Sequence, residues 1–464
     1  MRSKNKNDLK PFFNIGFKVN PRGFGVDVFK SGKYQVDYPL PIFKHFPKSA
    51  KAFLIDNFVY ARTRPLTLYG DYQLRYQTAK PALRNFIDQG ILKDLACIGD
   101  LNNLSVKKLT TDFQKLPMQK VIFNKKRPTA VLPKFAVSKK KAVLAISFGK
   151  DSLLSYGLSK ELGLDLLLVS GNETENYSGS EWKFKKEIIN KFSREQKQKV
   201  HLFYDNVDEI FYHPALKKEL EEADDTNSML AYALEILPFV YFYRAKYLIL
   251  GNERNLNDFY LTKDGFKAYP SYDQSTAYTQ KENQCWQKIT NNGFRVISLL
   301  EPLYNLAEMK ILYSRYPHLL KYLMSCSPAK DDNERWCYDC SMCAKAFLYA
   351  AAVGGDPQKV FFNRNFFEKK YQELYPLFAS KIERHYEKPP PVRDEQLLSF
   401  LLAYRYGWRG PLIDLFKTKY LKEAVGRENI LRRKFFGLHR AVNLPEEFQN
   451  KVLRIYRQEL KGLC

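Results

Sequence analysis

Six consecutive residues, Ser147-Phe148-Gly149-Lys150-Asp151-Ser152, follow an apolar run and precede a stretch of helical period. Their types suit phosphate chemistry. A strand ending at Ser147, a tight turn through Gly149 and a helix starting near Asp151-Ser152 would point free backbone N–H groups and a positive dipole end at an anion. The Ser147 and Ser152 hydroxyls can donate to phosphate oxygens, and Lys150 adds charge. Asp151 beside a phosphate is explained if it holds Mg²⁺ or manages a leaving pyrophosphate. Asp and Ser are also ordinary helix caps. The succession of strand, turn and helix is what favours the phosphate reading.

A second pattern lies between Cys326 and Cys343, CSPAKDDNERWCYDCSMC, with spacing C-x10-C-x2-C-x2-C. Thiolates two residues apart can share one tetrahedral ion, and the longer loop can return the first ligand, Cys326, to Cys337, Cys340 and Cys343. Four cysteines leave no open position for water and so suit structural Zn²⁺. An iron–sulfur cluster and plain buried thiols are the alternatives. The remaining cysteines of the seven, Cys97, Cys285 and Cys464, are isolated. This usage fits a metal site in a reducing compartment better than a disulfide framework.

The elements that must position these residues are legible as alternating periods. AVLAIS from Ala142, DLLLVSG from Asp165, KVHLFYD from Lys199, KYLILGNE from Lys246 and RVISLLEP from Arg295 are short, nearly continuous apolar runs separated by amphipathic stretches. That alternation predicts an α/β domain, a doubly wound parallel sheet with helices on both faces, over 142–352. Residues 1–125 read as a separate α+β module, with FGVDVF from Phe24 as a strand and a helix around 82–95. A Lys- and Pro-containing linker covers 126–141, and 353–464 reads as a helical, basic and aromatic extension broken by KPPPV. A chain of 464 residues is long enough for two or three such domains.

The stretch Ser147 to Ser152 resembles the signature of the PP-loop ATP pyrophosphatases, Ser-Gly-Gly-x-Asp-Ser, with Phe148 in place of the first Gly, where a side chain costs backbone freedom. Its spacing is not that of Walker A. The resemblance covers the 142–352 domain and implies a HUP-like fold that cleaves ATP to AMP and pyrophosphate through an adenylated intermediate. It also implies adenine near the end of the second strand, beside Ser170, Gly171 and Asn172. Together with the four cysteines the chain is similar to the QueC-type 7-cyano-7-deazaguanine synthases, which adenylate a carboxylate and convert it to a nitrile.

Residues 250–279 read LGNERNLNDFYLTKDGFKAYPSYDQSTAYT. Asn252-Glu253 ends a strand at the ligand edge, and Lys263-Asp264-Gly265 looks like a surface hairpin turn. The segment resembles the GNER region of the MurL-type enzymes, ATP-dependent epimerases of UDP-N-acetylmuramoyl-L-alanyl-L-glutamate in peptidoglycan precursor synthesis. Gly251-Asn252-Glu253-Arg254 and Trp336-Cys337 carry the match. Asn255 stands where that family has Ser, and Tyr272-Asp273-Gln274-Ser275 replaces its Ser-Lys-Ser core. The resemblance implies adenylation of the glutamate carboxylate, loss of the Cα proton to a base and reprotonation from the other face. Asp151, Glu253 and Asp273 are the expected catalytic residues; the sequence does not single out the base, for which Tyr272, His213 and Cys285 are further candidates that serve as readily as structural residues, and Asp225 is as suited to a helix cap as to Mg²⁺.

The net charge is +25, which favours anionic partners: a nucleotide-linked peptide carboxylate, or nucleic acid. The basic residues are scattered, as a solvated Lys-rich surface would be, apart from clusters at 138–141, Lys185-Lys186 and Arg432-Arg433-Lys434. No segment is apolar enough to span a bilayer, and the opening MRSKNKNDLK lacks the apolar core of a signal peptide. A cytoplasmic protein is expected.

Overall fold

A computed structural model describes residues 12–29, 34–70, 72–115, 121–124, 126–173, 179–216, 219–291, 293–326 and 334–464. The opening decapeptide and residues 327–333 of the cysteine-bearing segment lie outside the described residues. The chain divides into two compact units, one of Met1–Lys134, Tyr204–Pro238 and Leu261–Ala268, the other of Phe135–Phe203, Phe239–Tyr260 and Tyr269–Cys464.

The first unit is α+β. Its strands β1 (Phe12–Asn20), β2 (Gly23–Asp27), β3 (Tyr34–Asp37), β4 (Gln73–Tyr76) and β5 (Val121–Phe123) lie in the order β3-β2-β1-β4-β5. The hairpin and its neighbour are antiparallel, whereas β1·β4 and β4·β5 are parallel. Asn20 closes the β1–β2 turn, its Oδ1 accepting from Arg22 N at 2.7 Å and Gly23 N at 2.8 Å. Gly23 admits no side chain, because a Cβ there would meet Val36 O at 1.8 Å. Helices Lys48–Thr63 and Arg84–Leu101 pack many buried apolar residues alongside those of the strands, such as Ile15, Phe24, Val36 and Leu74.

The second unit carries the apolar runs. β6 (Ser138–Ala145), β7 (Asp165–Glu173), β8 (Val200–Asp205, whose last two residues are assigned to the first unit), β9 (Ala245–Ile249) and β12 (Arg295–Ile297) follow in chain order; β10 (Tyr260–Leu261) and β11 (Lys267–Ala268) pair in a small sheet of their own, with Leu261–Ala268 assigned to the first unit. Ala142, Val143 and Leu144 on β6 are all fully buried, so successive residues on opposite faces are covered, as in a sheet flanked on both sides. The pairs β12·β9, β9·β6 and β6·β7 are all parallel.

Strand order identifies the ligand edge. From β6 the chain moves to β7 on one side, and later returns to the other side of β6 as β9 and then β12. Parallel crossovers are right-handed, so this reversal puts the helices of the two arms on opposite faces. Ligands in such sheets bind beyond the carboxyl ends of the two strands where the order reverses. Here those ends are Ser147, after β6, and Gly251-Asn252-Glu253, after β9.

One hydrophobic cluster runs through this unit from Ala142 to Leu460 and includes the helices after residue 353. Glu395, on helix Pro390–Arg405, accepts from the backbone N of Leu306 at 2.9 Å. It thereby satisfies a free donor in the first turn of helix Asn305–Arg315. Among the described residues no helix is long and apolar enough to cross a membrane.

Candidate active site and cysteine centre

The turn after β6 leads into a helix whose N-terminus faces the sheet edge. Gly149 is the N-cap of helix Lys150–Glu161, and no side chain caps that helix. Asp151 and Ser152 therefore do not serve as caps, and the first-turn N–H groups remain available at the sheet edge. Ser147 Oγ and Ser152 Oγ stand 3.5 Å apart. Phe148, the departure from the Gly of the motif, has φ 64°. A glycine would adopt that conformation without strain; here the ring is buried and packs edge-on against Phe192 at 5.4 Å between centroids. Packing thus holds a conformation that sequence alone disfavours. The carbonyl of Phe148 accepts from Met324 N at 2.9 Å, which ties the turn to the segment leading into Cys326.

Across the crevice, β9 ends at Ile249 and Gly251 lies two residues beyond it. A Cβ on that glycine would lie 2.8 Å from Asp151 Cβ, so only glycine lets the segment after β9 approach the first turn of helix Lys150–Glu161 this closely. Glu253 follows, opening the turn Arg254–Asn257. Its Oε1 accepts from Asn255 Nδ2 at 2.8 Å, so Asn255 orients the carboxylate.

Lys150 Nζ sits among three carboxylates: it pairs with Asp151 and Glu253 and donates to Glu308 Oε2 at 2.7 Å. One oxygen from each of Asp151, Glu253 and Glu308 lies within 4.8 Å of the others, close enough to share a cation. Glu308 is fully buried and its Oε1 has no hydrogen-bond partner. Burial pushes the Glu253 carboxyl up to about 7, the Asp151 charge adding to the rise and Lys150 opposing it. Burial also raises Glu308 well above the usual carboxylate range. For Asp151 burial works upward, but the Lys150 charge outweighs it and holds the group low. Burial works against the Lys150 ammonium, and the three carboxylates more than compensate.

Of the residues expected from sequence, Ser147, Phe148, Gly149, Lys150, Asp151, Ser152 and Glu253 gather at this edge. Gly171 and Asn172 end β7, beside β6, where Ile146 N donates to Val169 O at 2.8 Å. Asp273 is buried in the turn Tyr272–Gln274 and is not one of the carboxylates around Lys150. Cys285 is half-buried, its thiol raised by burial. His213 and Asp225 belong to the first unit, His213 stacked on Phe29 at 4.0 Å. Glu308 was not expected. Its sequence signal was a carboxylate whose neighbours one turn away, Ile311 and Leu312 on helix Asn305–Arg315 and Tyr304 at its N-cap, are all buried and apolar or aromatic.

The four cysteines form a second cluster whose sulfurs all lie within 4.8 Å of one another. Cys337 and Cys343 Sγ are 3.7 Å apart, and Cys340 and Cys343 Sγ 3.4 Å. These separations are far beyond a disulfide bond. They match thiolates around one tetrahedral Zn²⁺, where Zn–S of about 2.3 Å puts sulfurs about 3.8 Å apart. Backbone N–H groups of Cys337, Asp339 and Cys343 donate to Cys326, Cys337 and Cys340 Sγ at 3.2, 3.4 and 3.4 Å, an arrangement that favours thiolates. Trp336 is fully buried, stacks on Phe362 at 4.3 Å and donates to Val360 O at 2.7 Å. The cluster can hold a metal ion. No protein-family model matches the chain, and no curated protein matches it in sequence.

Proposed function

We propose that this chain is a PP-loop ATP pyrophosphatase that adenylates a carboxylate. The observation that supports this most is the convergence of Lys150, Asp151, Glu253 and the fully buried Glu308 beside an uncapped helix N-terminus at the strand-order reversal. ATP would bind with its phosphates on the turn Ser147 to Ser152 and its adenine toward Ser170, Gly171 and Asn172. Asp151, Glu253 and Glu308 would hold Mg²⁺, which when bound neutralises phosphate charge. Lys150 and the first-turn N–H groups favour the negative charge that develops as pyrophosphate leaves. The substrate carboxylate oxygen bonds to the α-phosphorus, the bond to the β-phosphate bridging oxygen breaks, and pyrophosphate departs. The four cysteines would hold structural Zn²⁺.

The preferred substrate is UDP-N-acetylmuramoyl-L-alanyl-L-glutamate, and the preferred outcome is epimerisation. Adenylation removes the carboxylate's negative charge and makes the glutamate Cα–H acidic enough for a base to remove. Reprotonation from the opposite face inverts the centre, and water releases AMP and the D-glutamyl product. The four-cysteine centre and the charge of +25 also suit a QueC-like or other nucleobase- or tRNA-modifying enzyme, which would use the same adenylation.

The deciding experiment follows AMP and pyrophosphate release from ATP and Mg²⁺ with that substrate, using Asp151→Ala as control. Stimulated release that the variant loses, with D-glutamate in the hydrolysed product, establishes the reading. If the folded, metal-loaded protein gives no stimulation, the epimerase assignment is withdrawn and deazapurine carboxylates and small RNAs are the next substrates.

A further inference from the structure

Between β12 and helix Asn305–Arg315 the chain runs from Ser298 to Tyr304, and the helix then presents Glu308 in its first turn. Leu299, Leu300, Leu303 and Leu306 are fully buried along the way. A buried stretch with so little regular structure must find partners for its polar groups elsewhere. Here the helical extension after residue 353 supplies them. The Tyr456 hydroxyl, on helix Glu446–Glu459, donates to Leu299 O at 2.6 Å. Asn443 grips the Glu301 carboxylate, its N donating to Oε2 at 2.8 Å and its Nδ2 to Oε1 at 3.1 Å. His439 N donates to Pro302 O at 3.0 Å. Glu395 accepts from Leu306 N at 2.9 Å and from Asn305 Nδ2 at 3.4 Å.

The anchors close on the residues that precede Glu308 and leave its helix little room to shift. Tyr304, the N-cap residue, makes no capping bond of its own, so Glu395 caps the helix from another part of the chain. The same stretch also touches the opposite wall of the crevice, where Arg254 N, next to Glu253, donates to Leu303 O at 2.8 Å. A carboxylate serves Mg²⁺ only when its oxygen can reach about 2.0–2.1 Å from the ion. Groups that orient a metal ligand from behind typically govern about 10–100-fold of the affinity.

On the reading that Asp151, Glu253 and Glu308 hold Mg²⁺, we infer that Glu395, His439, Asn443 and Tyr456 are positioning residues that fix Glu308 for the ion. The helical extension is then a working part of the ATP site, although none of its residues is among the carboxylates around Lys150.

Calorimetric titration with Mg²⁺ alone tests this without turnover, on the full chain and well below each variant's melting temperature. Tyr456→Phe removes one hydroxyl and keeps the ring; Glu395→Ala removes the cap; Glu395→Gln keeps an acceptor for Leu306 N. The first two should weaken Mg²⁺ binding by about 10-fold or more, and Glu395→Gln should recover most of the loss. Placed on Glu308→Gln, which keeps weaker binding through Asp151 and Glu253, the same two changes should cost nothing further, because they act through Glu308. Glu423→Gln, which breaks bonds to Arg393 and Arg427 inside the extension, should leave Mg²⁺ affinity unchanged whatever it does to the melting temperature. Unchanged affinity in Tyr456→Phe and Glu395→Ala overturns the proposal, as do equal losses with and without the Glu308 carboxylate. If Glu395→Ala does not fold, Tyr456→Phe decides alone. Absence of Mg²⁺ binding in the wild type overturns the cation site and this inference with it. Mg²⁺ binding without Asp151-dependent pyrophosphate release rejects the ATP chemistry and leaves the positioning role to the titrations.

Discussion

Lys150 Nζ lies 2.7 Å from Glu308 Oε2, in a setting where Glu308 is fully buried and Asp151 and Glu253 also pair with the same ammonium. Lysine occupies the centre of a carboxylate cluster that could equally hold a divalent cation. Replacing Lys150 by Met leaves the carboxylates mutually repelling in a buried site, at a cost of about 3–5 kcal/mol. A cation can take over the ammonium's role. Mg²⁺ should therefore raise the melting temperature of Lys150→Met by more than it raises that of the wild type. Equal Mg²⁺ responses in a thermal scan would show that the cluster does not bind the ion.

Gly251 and Asp151 face each other so closely that a Cβ on Gly251 would sit 2.8 Å from Asp151 Cβ. Gly251→Ala must push the segment after β9 away from the first turn of helix Lys150–Glu161. The displacement falls on the residues proposed to hold phosphate, and misplacement by about 1 Å can cost about 100-fold in rate. The expected outcome is a folded protein with pyrophosphate release down by about that factor. Retention of full activity in a steady-state assay would refute the close-approach argument.

Phe148 combines φ 64° with a buried ring against Phe192. Phe148→Gly relieves backbone strain of roughly 1–2 kcal/mol and loses ring packing of roughly 3–5 kcal/mol. The net expectation is a destabilisation of about 2 kcal/mol despite a closer match to the family motif. Denaturant unfolding checks the sign: a more stable variant would mean that the ring contributes little.

The parts of the site that were legible in the sequence are those encoded locally. The turn from Ser147 to Ser152, the strand end at Glu253 and the cysteine spacing are each written in one short segment, and alternating apolar runs announced the parallel strands. Phe148 was legible as a departure from the motif, but not as a residue held left-handed by a ring more than forty positions away. Glu308 was invisible because its role depends on which helix packs behind the crevice. Glu395 and Asn443 were missed for the same reason. They reach the site's helix and the segment before it from the last hundred or so residues, through contacts that no local period records.

Metal removal should reach the active site through such contacts. Cys340 begins helix Ser341–Ala352, and Tyr349 on that helix donates to Glu395 Oε2 at 3.2 Å. Glu395 in turn holds the first turn of the helix bearing Glu308. Structural Zn²⁺ contributes about 10–16 kcal/mol of apparent binding energy in small zinc domains. Chelation, or Cys340→Ser, should therefore lower the melting temperature and reduce pyrophosphate release together. Elemental analysis should give one zinc per chain. Iron and visible absorption would instead indicate an iron–sulfur cluster, and a metal-free protein with full stability would mean that the thiols are only packed.

Glu282 makes a pH prediction away from the cation cluster. Burial raises its carboxyl to about 8 from an ordinary 4.5; the hydrogen bond from Trp286 opposes the rise and the Asp273 charge adds to it. Trp286 Nε1 donates to Glu282 Oε1 at 3.0 Å. Between those two values the folded chain keeps a proton that the unfolded chain has lost, so stability falls as pH rises from 4.5 towards 8. The fall is on the order of a few kcal/mol at about 1.4 kcal/mol per unit. Glu282→Gln keeps an acceptor for Trp286 and has no proton to lose. The variant should match the wild type near the acid end of the window and exceed it at the alkaline end. Denaturant unfolding across that range decides the matter, because parallel stability curves would mean that Glu282 titrates normally in the folded chain.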